Sequence, residues 1–87
     1  MRHYDDPVEV RRGPRDHPGR TGVDDPEQFL WRGRLWKVRA VLAHVVEAGA
    51  RERWRVQAGR GGLESDGVFD LSFDGADGSW QLVGGRD

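Results

Sequence analysis

Few residues of this chain have the type and spacing that chemistry needs. His3 and His17 lie in polar sequence near Asp5, Asp6 and Asp16, and His44 stands alone. No His-x₃-His or His-Glu-x-x-His spacing occurs, so no zinc site is signalled, and cysteine is absent. Ser65 and Ser79 sit in Gly/Asp-rich turns, and neither forms the Gly-x-Ser-x-Gly elbow of a nucleophile. Asp70, Asp74 and Asp77 lack the Asp-x-Asp-x-Asp-Gly run and the distant Glu of a calcium loop. Gly59-Arg-Gly-Gly lacks the Gly-Lys-Ser/Thr step of a phosphate cradle. No catalytic constellation and no cofactor signature emerge, and the expected class is a non-enzymatic binding domain.

The cations are a better lead. Residues 1–27 carry a net −2, residues 28–60 a net +6 and residues 61–87 a net −5, although the whole chain is −1. Thirteen of the fourteen basic residues are arginine, whose planar fork grips phosphate or carboxylate and stacks on aromatic rings. Arg32, Arg34, Lys37 and Arg39 lie along one expected hairpin, and Arg53 and Arg55 on an expected strand nearby. Paired in one sheet, these six cations share a face beside Trp31. Cations that neutralise phosphates, next to a ring that stacks on bases, suit single-stranded DNA. The competing arrangement lays the acidic C-terminal strands across the same cations and cancels the patch. Arginine with tryptophan also suits a protein interface.

The elements that must position these residues are strands. In Gln28–Arg32, Phe29 and Trp31 alternate with smaller or polar neighbours; Gly33 then supplies a tight turn. Trp36, Val38, Ala40 and Leu42 share one parity and Lys37 and Arg39 the other. Arg53–Ala58 puts Trp54, Val56 and Ala58 on one side. Val68–Asp74 does the same with Phe69, Leu71 and Phe73, and Trp80 and Leu82 close the series. Val8 and Val10 mark a further short strand. The expected fold is all-β: a small antiparallel barrel or curled meander of five to six strands, SH3-like.

One segment has a rival reading. Leu35, Val38, Val41, Leu42, Val45 and Val46 also fit a helix face ended by Gly49, giving an α+β alternative with a helix near 38–48. The β-branched valines favour a long strand, and a bulge near Leu42–His44 would reconcile the two periodicities. Trp36, Trp54 and Trp80 fit the core, and Trp31 is the candidate surface anchor.

Residues 1–27 hold all four prolines and read as a short strand followed by a flexible excursion over residues 11–26; residues 28–87 read as the single β domain. Eighty-seven residues make one small domain with a thin core. No stretch approaches the roughly 20 apolar residues of a membrane span, and no apolar h-region follows Met1, so a cytoplasmic protein without a membrane partner is expected.

Pro26-Glu-Gln-Phe-Leu-Trp-Arg-Gly-Arg-Leu-Trp-Lys-Val-Arg-Ala-Val-Leu resembles the core of a small actinobacterial family, domain of unknown function 6504. Tyr4–Val10, Arg53–Ala58, Gly67–Asp74 and Trp80–Leu82 match its remaining strands, so the resemblance covers nearly all of the chain outside residues 11–23. Similar sequence closes the polymerase-like subunit of the actinobacterial mutasome, a translesion DNA synthesis assembly. The resemblance implies a β-domain connected with DNA damage tolerance that touches DNA or docks a repair protein, and it carries over no catalytic residue. This chain departs from the family at Val45, where Trp is frequent, and at Ala50-Arg51, where a Trp pair is usual. Gly84-Gly85-Arg86 is weak strand material.

Overall fold

The computed structural model describes residues 2–15, 23–61 and 65–86. Seven strands run β1 (Arg2–Pro7), β2 (Glu9–Arg15), β3 (Val23–Trp31), β4 (Arg34–Val46), β5 (Arg51–Gly59), β6 (Gly67–Asp74) and β7 (Ser79–Arg86). All pair antiparallel in one sheet of order β1-β7-β6-β5-β4-β3-β2. Only Val8 separates β1 from β2, yet they occupy opposite ends of that order. The sheet must therefore curl until its two edges are one residue apart. Residues 2–15 act as one bent strand whose first half pairs with β7 and whose second half pairs with β3. At the bend, the Val8 N–H donates to the Trp80 carbonyl at 3.2 Å. This is an all-β, barrel-like fold with no helix among the described residues, and its seven strands exceed the expected five to six.

The alternation read from sequence fixes most of the core. Phe29, Trp36, Val38, Trp54, Val56, Ala58, Phe69, Leu71, Trp80 and Leu82 are buried as expected, with Val8, Val10 and Phe73 packed against them. The hairpin between β3 and β4 turns on Arg32 and Gly33, with φ of +52° and +74°. Positive φ at both central residues marks the turn whose twist matches paired strands.

The segment 38–48 is strand as far as Val46, and its phase shifts twice. Ladder register slips between Val38 and Ala40 and again between Val41 and Ala43, each time by one extra residue on β4. Val38, Val41 and His44 thus stand opposite Ala58, Val56 and Trp54, all facing inward. The i, i+3 spacing that imitates a helix is the spacing of a doubly bulged strand. Leu42, expected inside with Ala40, is instead the extra residue of the second bulge and is 51% exposed.

The expectation for residues 11–26 is corrected at both ends. Arg11–Arg15 pair with Val23–Gln28, so strand brackets the segment, and residues 16–22 lie outside the described residues. A backbone ladder needs no apolar side chains of its own, and here the hairpin adds interior contacts. Asp25 and Pro26 are fully buried, and the Arg12 guanidinium lies 5.1–5.6 Å from the centroids of Trp54, Phe73 and Trp80. The glycines near the C-terminus also stay in strand. A Cβ on Gly85 would stand 3.0 Å from Phe69 and 3.3 Å from Tyr4, so β1, β6 and β7 approach there only because the residue is glycine.

The turn from β6 to β7 is held by two carboxylates. Asp74 Oδ1 accepts from the Ala76 N–H at 3.0 Å and Asp77 Oδ1 from the Ser79 N–H at 2.9 Å. Hydrogen bonds from the Ser79 hydroxyl and N–H hold the Asp77 carboxyl below its ordinary range. A depressed carboxyl stabilises the fold above its unfolded value of 3.8, and that contribution disappears as pH falls through the lower folded value. A carboxyl-carbon NMR titration is expected to place the Asp77 midpoint below that of a random-coil Asp, and Ser79→Ala to return it toward 3.8.

Candidate functional site

Six of the seven residues expected to bind are at the surface, and the aromatic one is not. Trp31 is 8% exposed and belongs to the core. Its indole N–H donates to Asp6 Oδ2 at 2.9 Å, and its ring meets Tyr4 and Phe69 edge-on at 5.2 and 5.8 Å. The correction has a plain cause. Bending at Val8 brings β1 across the β3–β4 hairpin, which covers a ring that the hairpin alone would leave in water.

Each of four cations has a carboxylate beside it. Arg55 stands directly across the ladder from Asp70 and grips it twice, Nε to Oδ1 at 2.9 Å and Nη2 to Oδ2 at 3.2 Å. The hydrogen bond and charge of Asp70 raise the guanidinium pKa above its ordinary value. Arg39 lies 3.7 Å from Asp66, Arg53 lies 3.5 Å from Glu47, and Arg32 lies 3.4 Å from Asp6. Arg32 also rests over the rings of Trp31 and Tyr4, at 4.8 and 5.2 Å. Arg34 and Lys37 are exposed and have no ion-pair partner among the described residues. Such surface pairs contribute at most about 1 kcal/mol each to stability. Their larger effect is on the outward field, because each carboxylate offsets one cation within a few ångströms.

Apolar surface lies on the face of Lys37, whereas Arg34 stands across the ladder from Trp31 on the other face of the hairpin. Leu30 and Leu35 face each other across the β3–β4 ladder, 40% and 44% exposed. They line an open groove of about 290 Å³ together with Glu9, Arg11 and Gln28. Lys37 lines a second open groove with Glu27 and Arg39, where β3 and β4 part.

A third constellation surrounds Trp54 and was missed at the sequence level. The His44 ring stacks on Trp54 at 4.2 Å and 8°, and its Nε2 lies 2.8 Å from Glu52 Oε1. The Trp54 N–H donates to fully buried Asp25 at 3.1 Å. The His44–Glu52 pair was legible in principle, since a hairpin that sets His44 opposite Trp54 puts Glu52 one diagonal away. Asp25 carried no signal, because its partner is 29 residues distant and its segment is polar. A carboxylate that orients an imidazole can assist proton transfer. No serine, threonine or lysine is among the residues gathered here, and no described His/Asp/Glu group of three could hold a metal ion. Here the cluster pins the β2–β3 hairpin to β5.

A curled seven-stranded sheet with paired surface cations and no assembled catalytic group among its described residues defines a small β-barrel-like domain. The family model described as Domain of unknown function (DUF6504) matches residues 1–87, and the chain belongs to that family. No curated protein and no solved structure is significantly similar to it.

Proposed function

We propose that this domain is a non-enzymatic protein-interaction module, and that its partner belongs to the DNA damage tolerance machinery, the connection implied by its resemblance to the mutasome subunit. The observation that carries the reading is the internal pairing of Arg32, Arg39, Arg53 and Arg55 with carboxylates of the same chain. A face whose charges are already offset has little to gain from a polyanion. The outward surface of the β3–β4 hairpin, with Leu30, Leu35 and Lys37, combines apolar area with a cation that has no carboxylate partner among the described residues. That combination suits a protein surface.

Tagged domain is expected to retain, after nuclease treatment, a subunit of a translesion polymerase assembly identified by mass spectrometry, and Leu35→Asp to lose it while remaining folded. Failure of the wild type to retain any such subunit overturns the reading.

Arg34 and Lys37 leave support for a nucleic-acid reading, and salt dependence measures it. Each phosphate neutralised on a single strand adds about −0.7 to the slope of log K against log salt. Two available cations give a slope near −1.4, whereas the six arrayed basic residues would give about −4. Weak gel-shift binding with the shallow slope, abolished by Arg34→Glu with Lys37→Glu, is expected. A slope near −4 means that the paired arginines release their carboxylates for phosphate.

A further inference from the structure

Three arginines among the described residues lie over tryptophan rings: Arg32 over Trp31 at 4.8 Å, Arg12 over Trp54 at 5.3 Å and Arg60 over Trp36 at 5.4 Å. In the first two stacks a carboxylate of the same chain takes the indole N–H. Trp31 donates to Asp6 Oδ2 at 2.9 Å, and Arg32 Nε lies 3.4 Å from that same oxygen. Trp54 donates to buried Asp25 at 3.1 Å. The third stack lacks this member. Trp36 is 7% exposed, and its Nε1 is buried with no hydrogen-bond partner among the described residues.

The strand pattern explains how Arg60 comes to lie there. Trp54, Val56 and Ala58 face inward, and Arg60 continues that parity just past the end of β5. Lys37 pairs with Gly59, so one further step along the two strands brings Trp36 beside Arg60. The other rings around Trp36 are those of Phe29, Trp31 and Phe69, at 6.2, 6.0 and 4.9 Å. None of these side chains carries an acceptor oxygen, and a guanidinium is a donor only. Small readjustments among these side chains therefore leave the indole N–H without an acceptor. Buried donors in folded proteins are almost always satisfied, and a donor beside a cation favours an anionic oxygen. One guanidinium fork and one N–H, set among apolar rings, match a singly charged planar carboxylate better than a phosphate, which needs more donors.

We propose that Trp36 and Arg60 form a binding site for a carboxylate supplied by another molecule, which accepts from the Trp36 N–H and pairs with Arg60 as Asp6 does with Trp31 and Arg32. Arg60 is half-buried between Gly59 and Gly61 and lies across the ring, so its long side chain swings aside to admit the ligand and then turns its fork to it. The carboxylate belongs to an acidic side chain of a partner protein or to a free carboxylic acid. The inference is independent of the proposed function, because Leu30 and Leu35 lie on the opposite face of the hairpin from Trp36.

The indole N–H signals of the four tryptophans read the site directly in a nitrogen–proton correlation spectrum. The Trp36 signal is identified by its loss in Trp36→Phe. Sodium acetate and the sodium salt of N-acetylglutamate N-methylamide, each replacing sodium chloride at constant ionic strength, are expected to move the Trp36 signal saturably. The signals of Trp31 and Trp54, whose N–H groups are already taken by Asp6 and Asp25, are expected to stay in place. Arg60→Gln is expected to weaken the binding roughly tenfold or more with an unchanged circular dichroism spectrum, and Arg60→Lys to recover part of the loss. Tighter binding of the capped glutamate supports the site and assigns the carboxylate to a partner's side chain; tighter binding of acetate supports it and assigns the carboxylate to a free acid. A Trp36 signal indifferent to both probes, with contact only to a long-lived water, overturns the proposal. So does a response that Arg60→Gln leaves undiminished. Either failure leaves the proposed function standing, because that reading is tested by partner capture and Leu35→Asp.

Discussion

Replacing Trp54 with alanine is expected to lower the melting temperature by roughly 15–35 °C. Deleting a buried tryptophan costs about 3–5 kcal/mol in lost transfer energy and residual cavity, and each kcal/mol moves the midpoint of a 60–100-residue domain by about 4–8 °C. A chain of this size has only on the order of 5–10 kcal/mol to lose. Trp54 is fully buried, contacts Trp80 at 5.1 Å, carries the stacked His44 ring, and donates the hydrogen bond to Asp25. Its loss therefore also detaches the β2–β3 hairpin from the sheet beneath it. Trp54→Phe separates the two roles. It keeps most of the ring volume and removes the donor to a buried carboxylate, which costs about 1–3 kcal/mol. Thermal unfolding by circular dichroism reads both variants. If Trp54→Ala shifts the midpoint by less than about 5 °C, the hairpin is held by something other than this ring.

Phe69 organises the opposite end of the core, and Phe69→Ala is expected to cost a similar 3–5 kcal/mol. Its ring lies 4.9, 5.6 and 5.8 Å from those of Trp36, Phe29 and Trp31, in edge-to-face geometry with each. Such contacts add about 0.5–1.5 kcal/mol per pair beyond the area they bury. Gly85 faces this ring and, having no side chain, cannot fill the gap. The cavity thus stays open, and Trp31 and Trp36 become accessible from it. Tryptophan emission is expected to shift to the red and acrylamide quenching to rise, together with the lower midpoint. Phe69→Leu, which refills much of the space, is expected to recover over half of the loss. An unchanged emission spectrum in Phe69→Ala would mean that the neighbouring rings collapse into the space.

The two variants test an asymmetry of the interior. At the Phe69 end, five aromatic rings pack on one another, and among the described residues Arg32 lies over Tyr4 and Trp31 and Arg60 over Trp36. At the Trp54 end the rings share space with Asp25, His44, Glu52 and Arg12. Polar groups buried in this way specify one arrangement when they are partnered and destabilise when one member is removed. Truncation at the Phe69 end should therefore leave an apolar cavity, while truncation at the Trp54 end should also strand a buried carboxylate.

The local pattern alone determined the strands and most of their inward faces. Period-two alternation is a property of a few consecutive residues. Trp54, Val56 and Ala58, or Phe69 and Leu71, declare their side whatever the rest of the chain does. The Arg32–Gly33 turn is equally local, because positive φ is a demand on two residues. Tertiary structure decided everything that depends on register between distant strands. It turned Trp31 inward by folding β1 over it and shifted β4 twice so that Val38, Val41 and His44 share a face. It paired Arg55 with Asp70, fifteen residues on, and joined Asp25 to Trp54, twenty-nine residues on. The basic and acidic regions were visible as composition, but whether one offsets the other is set by ladder pairings, which no local pattern encodes.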